Sequence, residues 1–144
     1  MGFDYFSLGG EENEAEYIKK FKELYSSSII IPEGMEIFFK LIPDSEITHV
    51  WRGGKQGPFN LGRAARIGWI KEILTKKERR VIKYIPQKRC IDFVAKVGRT
   101  CYVVRCVYEK ENRKYRFLTS FVIGSSTKKY NDYPDFDFSK IKSC

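Results

Sequence analysis

The 144-residue chain contains one histidine, His49, and places it just before a basic, glycine-rich loop. The segment reads ITHVWRGGKQGPFN over residues 47–60, and Arg63 and Arg66 follow it closely. Histidine transfers protons near neutral pH, whereas arginine keeps its charge and matches phosphate oxygens with two parallel donors. These residue types at this spacing favour a site for a phosphate-bearing substrate. The alternative is that His49 is an ordinary residue at the end of a strand.

The segment after the loop predicts a helix over residues 61–77, capped by Asn60. At about 100° per residue, Arg63 lies one turn before the apolar stripe that comprises Ile67, Ile70 and Leu74. We therefore expect Arg63 to face inward at the helix N-terminus, where its guanidinium and the helix dipole both favour a bound phosphate. The alternative is an ion pair between Arg63 and Asp92. Arg66 falls at the edge of the stripe, which suits a weaker contact with substrate.

The remaining elements place helices before strands and predict an α+β fold. Ahead of the loop the pattern predicts a helix at 11–26, a short strand at 29–31, a helix or strand at 36–42, a turn at 43–45 and an extended end at His49. After it, the pattern predicts strands at 80–85, 91–97, 100–108 and 115–123. We expect N-terminal helices packed on a twisted antiparallel sheet, a meander of about four strands. A single domain, 1–144, would then comprise an acidic helical part (1–50), a basic helix with the meander (51–124) and a polar tail (125–144).

Two hydroxyl groups occupy the last predicted strand, FLTSFVI. Strict alternation directs Phe117, Thr119, Phe121 and Ile123 to one face and Leu118, Ser120 and Val122 to the other. A hydroxyl in an otherwise apolar strand needs a hydrogen-bond partner. Thr119 or Ser120 can therefore bind a phosphate or hold His49 in position.

The charge of the chain, +9 in total, is strongly segregated. Residues 1–50 hold four Lys against ten Asp or Glu, whereas residues 51–129 hold 21 Lys or Arg against five acids. Such a basic region is typical of an anion-binding surface, and nucleic acid is the commonest large partner. A basic face that only increases solubility is the alternative.

A family resemblance rests on the order of these features. A histidine precedes a loop, a helix follows with the pattern RxxxIxWIxxIL, and the meander has YVVRCVY as a middle strand and FLTSF in its last strand. This order resembles the superfamily of small metal-independent ribonucleases that groups barnase, EndoU, colicin-type tRNases and RelE-like toxins, here called BECR. It is most similar to the phage and polymorphic-toxin branches, and it covers about residues 45–124.

The resemblance implies a toxin-like endoribonuclease that needs no metal or cofactor and cleaves RNA through attack of the 2′-hydroxyl, which leaves a 2′,3′-cyclic phosphate. The family pattern corresponds here to His49, Arg63 and Thr119 as catalytic residues, with Phe121 standing where relatives often carry Tyr. Further candidates for substrate contact are Arg52, Lys55, Arg66, Tyr102 and Ser120. With one histidine, the second proton-transfer group is Lys55 or Tyr102, with Glu72 a weaker choice. The implied partners are RNA, with tRNA one candidate class, and an inhibitory antitoxin or immunity protein.

Two other functions are compatible with the same sequence. A non-catalytic RNA- or DNA-binding module would stack bases on sheet aromatics, namely Tyr84, Phe93, Tyr102, Tyr108, Tyr115 and Phe117. A protein-interaction or structural domain would use the charge only for solubility. No run of 18 apolar residues predicts a membrane span, and the four cysteines lack a metal-binding spacing. We expect a cytoplasmic protein with reduced thiols.

Overall fold

The secondary structure follows the change in apolar spacing along the chain, from helical to alternating. The computed structural model describes residues 3, 5–53, 57–77, 80–98 and 100–123. Lys55 and the predicted tail therefore lie outside the described residues. The helices are α1 (Glu14–Leu24), α2 (Asp44–Arg52), α3 (Leu61–Ala65) and α4 (Ile67–Thr75). The strands are β1 (Ile29–Ile30), β2 (Glu36–Phe38), β3 (Arg80–Ile85), β4 (Cys90–Val97), β5 (Thr100–Glu109) and β6 (Lys114–Ile123).

The strands form one six-stranded mixed sheet in the order β1-β2-β6-β5-β4-β3. The α+β class is confirmed, and β3 to β6 form an antiparallel meander. The prediction of about four antiparallel strands was wrong, because β1 and β2 extend the sheet and β2 pairs with β6 in parallel. That pairing joins Ile37 to Tyr115. Two very short strands carry almost no alternation, so their sequence did not indicate where they would pair.

Aromatic side chains of α1 connect the acidic part of the chain to the basic part. Tyr17, Phe21 and Tyr25 are buried in the same core as Trp51, the α4 stripe and the helix-facing residues of the meander. The Tyr25 hydroxyl donates a hydrogen bond to the carbonyl of Ile67 and accepts one from the backbone amide of Lys71 at 3.1 Å. Residues 1–50 and 51–124 thus share one hydrophobic core.

His49 lies within helix α2, so the predicted extended end was wrong. Ile47, Val50 and Trp51 are buried at the i, i+3, i+4 spacing of an amphipathic helix. Asp44 and Glu46 lie in the first turn, where the helix dipole favours negative charge. The helix ends at Gly53, whose left-handed backbone (φ 66°) lets its amide bond to the carbonyl of His49.

The predicted helix at 61–77 is instead two helices that meet at Arg66. Asn60 caps α3 as predicted, since its side-chain oxygen accepts a hydrogen bond from the backbone amide of Arg63 at 3.0 Å. The backbone of Arg66 (φ −97°, ψ 13°) leaves helical geometry and turns the chain into α4.

A β-bulge in the last hairpin changes which side chains share a face. Arg105 pairs with Thr119, but the next residue, Cys106, pairs with Phe117, so Leu118 is an extra residue in β6. Phe117 therefore joins the helix-facing core, whereas Thr119 does not lie on its face. The predicted strict alternation was wrong across Leu118, because a bulge cannot be recognised from apolar spacing.

None of the helices in the part of the chain described above is long and apolar enough to cross a bilayer.

Candidate active site

Helix α2 presents His49 to a cavity against strand β6. The cavity is lined by Glu46 and His49 from α2, by Arg116, Phe117 and Leu118 from β6, and by Phe39 and Lys40 between them. Glu46 precedes His49 by three residues, so both lie on one face of the helix. Lys40 forms an ion pair with Glu46 at 3.4 Å. A carboxylate and an imidazole thus border one cavity.

The guanidinium of Arg63 lies at the C-terminal end of α2. One of its terminal nitrogens is 3.2 Å from the position that a Cβ on Gly53 would occupy. Gly53 follows His49 by four residues, which places the two on the same side of the helix, about 6 Å apart along its axis. Arg63 therefore lies at the end of the helix that carries His49, but it is not among the residues that line the cavity.

Arg63 and Arg66 differ from the arginines packed elsewhere against the core. Carboxylates hold four of those others, in the pairs Arg52 with Glu11 and Glu14, Arg80 with Glu33, Arg105 with Asp92, and Arg116 with Glu109. Neither Arg63 nor Arg66 forms an ion pair with any residue that the structure describes. The predicted alternative, a pair between Arg63 and Asp92, was wrong, because Asp92 accepts two hydrogen bonds of 2.7 Å from Arg105.

The Tyr102 hydroxyl donates a 2.8 Å hydrogen bond to the Ser120 hydroxyl, and both residues are buried. Burial raises the pKa of Tyr102 to about 12, while the bond to Ser120 and the charges of Arg66 and Arg63 act in the opposite direction. Because the Tyr102 hydroxyl is buried and bonded to Ser120, it does not reach a substrate and does not serve as the second proton-transfer group, a role predicted for Lys55 or Tyr102.

The N-terminal segment packs over the junction of α3 and α4. The Phe6 amide donates to the carbonyl of Ala65 at 2.9 Å, and the rings of Phe3 and Tyr5 contact Trp69. Arg66 lies over the rings of Tyr5 and Trp69, at 5.8 and 5.5 Å from their centroids. Its Nε is buried and has no hydrogen-bond partner among the described residues. Arg66 is thus held by aromatic rings.

The structure does not bring every predicted site residue to this cavity. Thr119 pairs with Arg105, and Phe121 packs under the same arginine at 5.3 Å, in the apolar cluster separate from the helix-facing core. Ser120, not Thr119, points to the helices, because Leu118 shifts the alternation. Arg52, predicted to bind substrate, is occupied by Glu11 and Glu14.

Sequence reasoning missed Glu46 and Arg116. Glu46 would have been found if residues 44–52 had been recognised as a helix, since i and i+3 positions share a face. Arg116 lines the cavity where β2 pairs with β6, a pairing that the sequence did not indicate, but its guanidinium is held by Glu109.

Comparison of the chain with models of known protein families, with curated proteins and with solved structures finds no match. Among the residues with described positions, no three His, Cys, Asp or Glu side chains are grouped so that they could hold a metal ion.

Proposed function

We propose that this protein is a metal-independent, toxin-like endoribonuclease with a BECR-like fold. One observation carries the proposal: Arg63, a cation without a carboxylate partner in the described part of the chain, lies beside Gly53 at the end of α2, the helix that carries His49 and Glu46. A phosphate at this position would face a fixed guanidinium and two groups able to move protons. These are the requirements for cleaving RNA without a metal.

The reaction is an internal displacement at phosphorus. Glu46, as the base, removes the proton of the ribose 2′-hydroxyl, and the 2′-oxygen attacks the adjacent phosphate. Arg63 stabilises the charge that develops on the phosphorane oxygens. His49, in its protonated form, donates its proton to the departing 5′-oxygen. The products are a 2′,3′-cyclic phosphate and a free 5′-hydroxyl.

Arg66 and the Tyr102–Ser120 pair have supporting roles in this proposal. Arg66 attracts the RNA backbone next to the scissile phosphate. Tyr102 and Ser120 are buried, so they support the surface on which the arginines lie and do not contact substrate. The predicted catalytic Thr119 is replaced in this scheme by Glu46.

The proposed partners are RNA, tRNA among the candidates, and an inhibitory antitoxin or immunity protein that covers the cationic site. Cys101 and Cys106 are buried free thiols, which suits the proposed cytoplasmic location.

Cleavage in the absence of divalent metal tests the function directly. Purified protein incubated with RNA in EDTA should yield products that end in 2′,3′-cyclic phosphate. His49→Ala and Glu46→Gln should each lower the rate about 10²- to 10⁴-fold, the usual contribution of a general acid or base. The control is Lys71→Ala, an exposed lysine of α4 outside the site, which should cleave like the wild type. Full activity in a stably folded His49→Ala variant would remove the imidazole from the mechanism.

A second candidate function is a non-catalytic module that binds single-stranded nucleic acid. The contact between the rings of Tyr108 and Tyr115, on strands β5 and β6, favours it. This alternative predicts salt-dependent binding without cleavage, and the same incubation in EDTA separates the two functions.

A further inference from the structure

Three tyrosines on three strands lie on the helix-facing side of the sheet, beyond the helices. Tyr108 and Tyr115 are cross-strand partners in β5 and β6, with ring centroids 5.2 Å apart and planes tilted by 60°. Tyr84 of β3 pairs with Ile91, which belongs to the helix-facing core, so its ring lies on the same side. Burial raises the pKa of Tyr115, and Tyr84 and Tyr108 raise it further.

These tyrosines remain accessible, unlike the other aromatics of strands β3 to β6. Tyr84 is 59% exposed, and Tyr108 and Tyr115 are half-buried. Phe93, Tyr102 and Phe117 are buried in the core and offer no face to a ligand. The six aromatics that the sequence suggested for base stacking thus separate into core residues and one surface group.

Basic turns border the tyrosines. The turn at Pro86–Lys88 and the turn between β5 and β6 lie at the same end of the sheet, and the Tyr108 amide donates to the carbonyl of Arg89 at 3.0 Å. Exposed cations on these turns are Lys88, Arg89, Lys110 and Arg113. Aromatic rings framed by positive charge complement a nucleic-acid strand, whose bases stack while its phosphates need cations.

The surface continues from the cavity that holds His49. Tyr115 is two residues from Phe117, a wall of that cavity, which corresponds to about 7 Å along an extended strand. A strand of RNA with its scissile phosphate at His49 would therefore place its neighbouring bases over the tyrosines.

We propose that Tyr84, Tyr108 and Tyr115 form a stacking subsite for unpaired bases of the RNA substrate. This rests on the proposed function, because it assigns the substrate class of the same site. The protein then selects single-stranded RNA, since a duplex hides the faces of its bases from the rings.

The probe is a short, fluorescently labelled 2′-O-methyl RNA strand, which lacks the attacking hydroxyl and cannot be cleaved, tested alone and as a full duplex. Tyr84→Ala should weaken binding of the single strand about 5- to 150-fold, the range for one stacked base. Tyr84→Phe, the matched control, keeps the ring and should bind like the wild type. Duplex binding should be the same in all three proteins. Unchanged single-strand affinity in Tyr84→Ala, or an equal loss on the duplex, would overturn the stacking subsite.

The subsite and the catalytic proposal fail in different ways. Ring-dependent binding by a protein that never cleaves RNA in EDTA would retain the subsite and remove the catalytic function. Cleavage that depends on His49, with a KM that Tyr84→Ala leaves unchanged, would retain the ribonuclease and remove the subsite.

Discussion

Arg63 and Arg66 are three residues apart, but their surroundings differ, and the proposed mechanism gives them different tasks. Asn60 fixes the backbone of Arg63, and its guanidinium lies at the end of α2 beside Gly53. Arg66 lies beside the rings of Tyr5 and Trp69, 5.8 and 5.5 Å from their centroids. An arginine fixed next to the reacting phosphate lowers the barrier, whereas one attached to a neighbouring surface contributes binding alone.

Kinetics of the two alanine variants should separate these tasks. Arg63→Ala should lower kcat and kcat/KM together. The loss should correspond to about 2.7–4 kcal/mol of transition-state stabilisation, the scale for losing one hydrogen-bond donor to an oxyanion. Arg66→Ala should raise KM and leave kcat nearly constant. Arg63→Lys should recover little, because an ammonium lacks the two-pronged geometry. Small, equal losses in both variants would contradict the placement of Arg63 beside the phosphate.

Helix α1 is fastened to the end of α2 by a cluster of charges. The Glu14 carboxylate accepts hydrogen bonds from the Arg52 guanidinium and, at 2.7 Å, from the Trp51 indole. The bond from Arg52 lowers the pKa of Glu14 most, against the opposing effect of burial. The bond from Arg80 likewise lowers the pKa of Glu33. Both acids therefore bind a proton more readily in the unfolded chain than in the folded one.

This difference in pKa between the folded and unfolded chain predicts that the protein loses stability in acid. The stabilisation from both carboxylates is fully present above their unfolded pKa, about 4.3, and is lost as the pH falls through their lower folded pKa values. The melting temperature should therefore stay level from neutral pH towards pH 5 and then fall. Glu14→Gln should make that fall shallower, and adding Arg52→Ala should change the profile little more, because both substitutions remove the same contact. Identical acid profiles in the wild type and Glu14→Gln would contradict this account.

Long, regular patterns were predictable, and interruptions of them were not. Strands β3 to β6 have enough alternating residues to be recognised, and Asn60 and the phase of Arg63 followed from capping and helical spacing. Helix α2 was not predicted because Pro43 and the glycine-rich loop, which flank this nine-residue segment, both indicated turns. The pairing of β2 with β6 depends on contacts between distant residues, which no local pattern encodes.

The candidate site was predictable to the same extent. Helical phase predicted that Arg63 faces inward at the start of its helix, whereas the family resemblance grouped it with His49. The assignment of Thr119 depended on a family pattern read along an unbroken strand, and the extra residue at Leu118 gave the helix-facing position to Ser120. Glu46 needed the three-dimensional neighbourhood of α2 to be recognised.

The acidic and basic parts of the chain differ in charge but share one hydrophobic core. Residues 51–129 are strongly basic and residues 1–50 acidic, yet Tyr17, Phe21 and Tyr25 of the acidic part lie in the common core. Removing the first helix would therefore unfold the protein, so the acidic part is a fixed neighbour of the basic surface.

Binding of RNA should weaken linearly with the logarithm of salt concentration, because the basic surface releases condensed counterions. Arg113→Gln and Lys110→Gln, on the turn beside the tyrosines, should each reduce the slope by about 1. Lys19→Gln, an exposed change on α1, should leave it unaltered and serves as the matched control. Affinity that does not vary with salt would show that the basic region is not the docking surface.

The extra residue in β6 has a consequence for how this gene can vary in length. Deleting the codon for Leu118 would remove the bulge and keep Phe117 and Ser120 facing the helices, because the residues on either side already alternate as if Leu118 were absent. Loss of one codon inside the regular run from Ser120 to Ile123 would instead send part of the strand to the wrong face. Lineages of this protein should therefore tolerate a single-residue gap at position 118, with a wider cavity beside His49 as its main effect, and should reject one a few codons later.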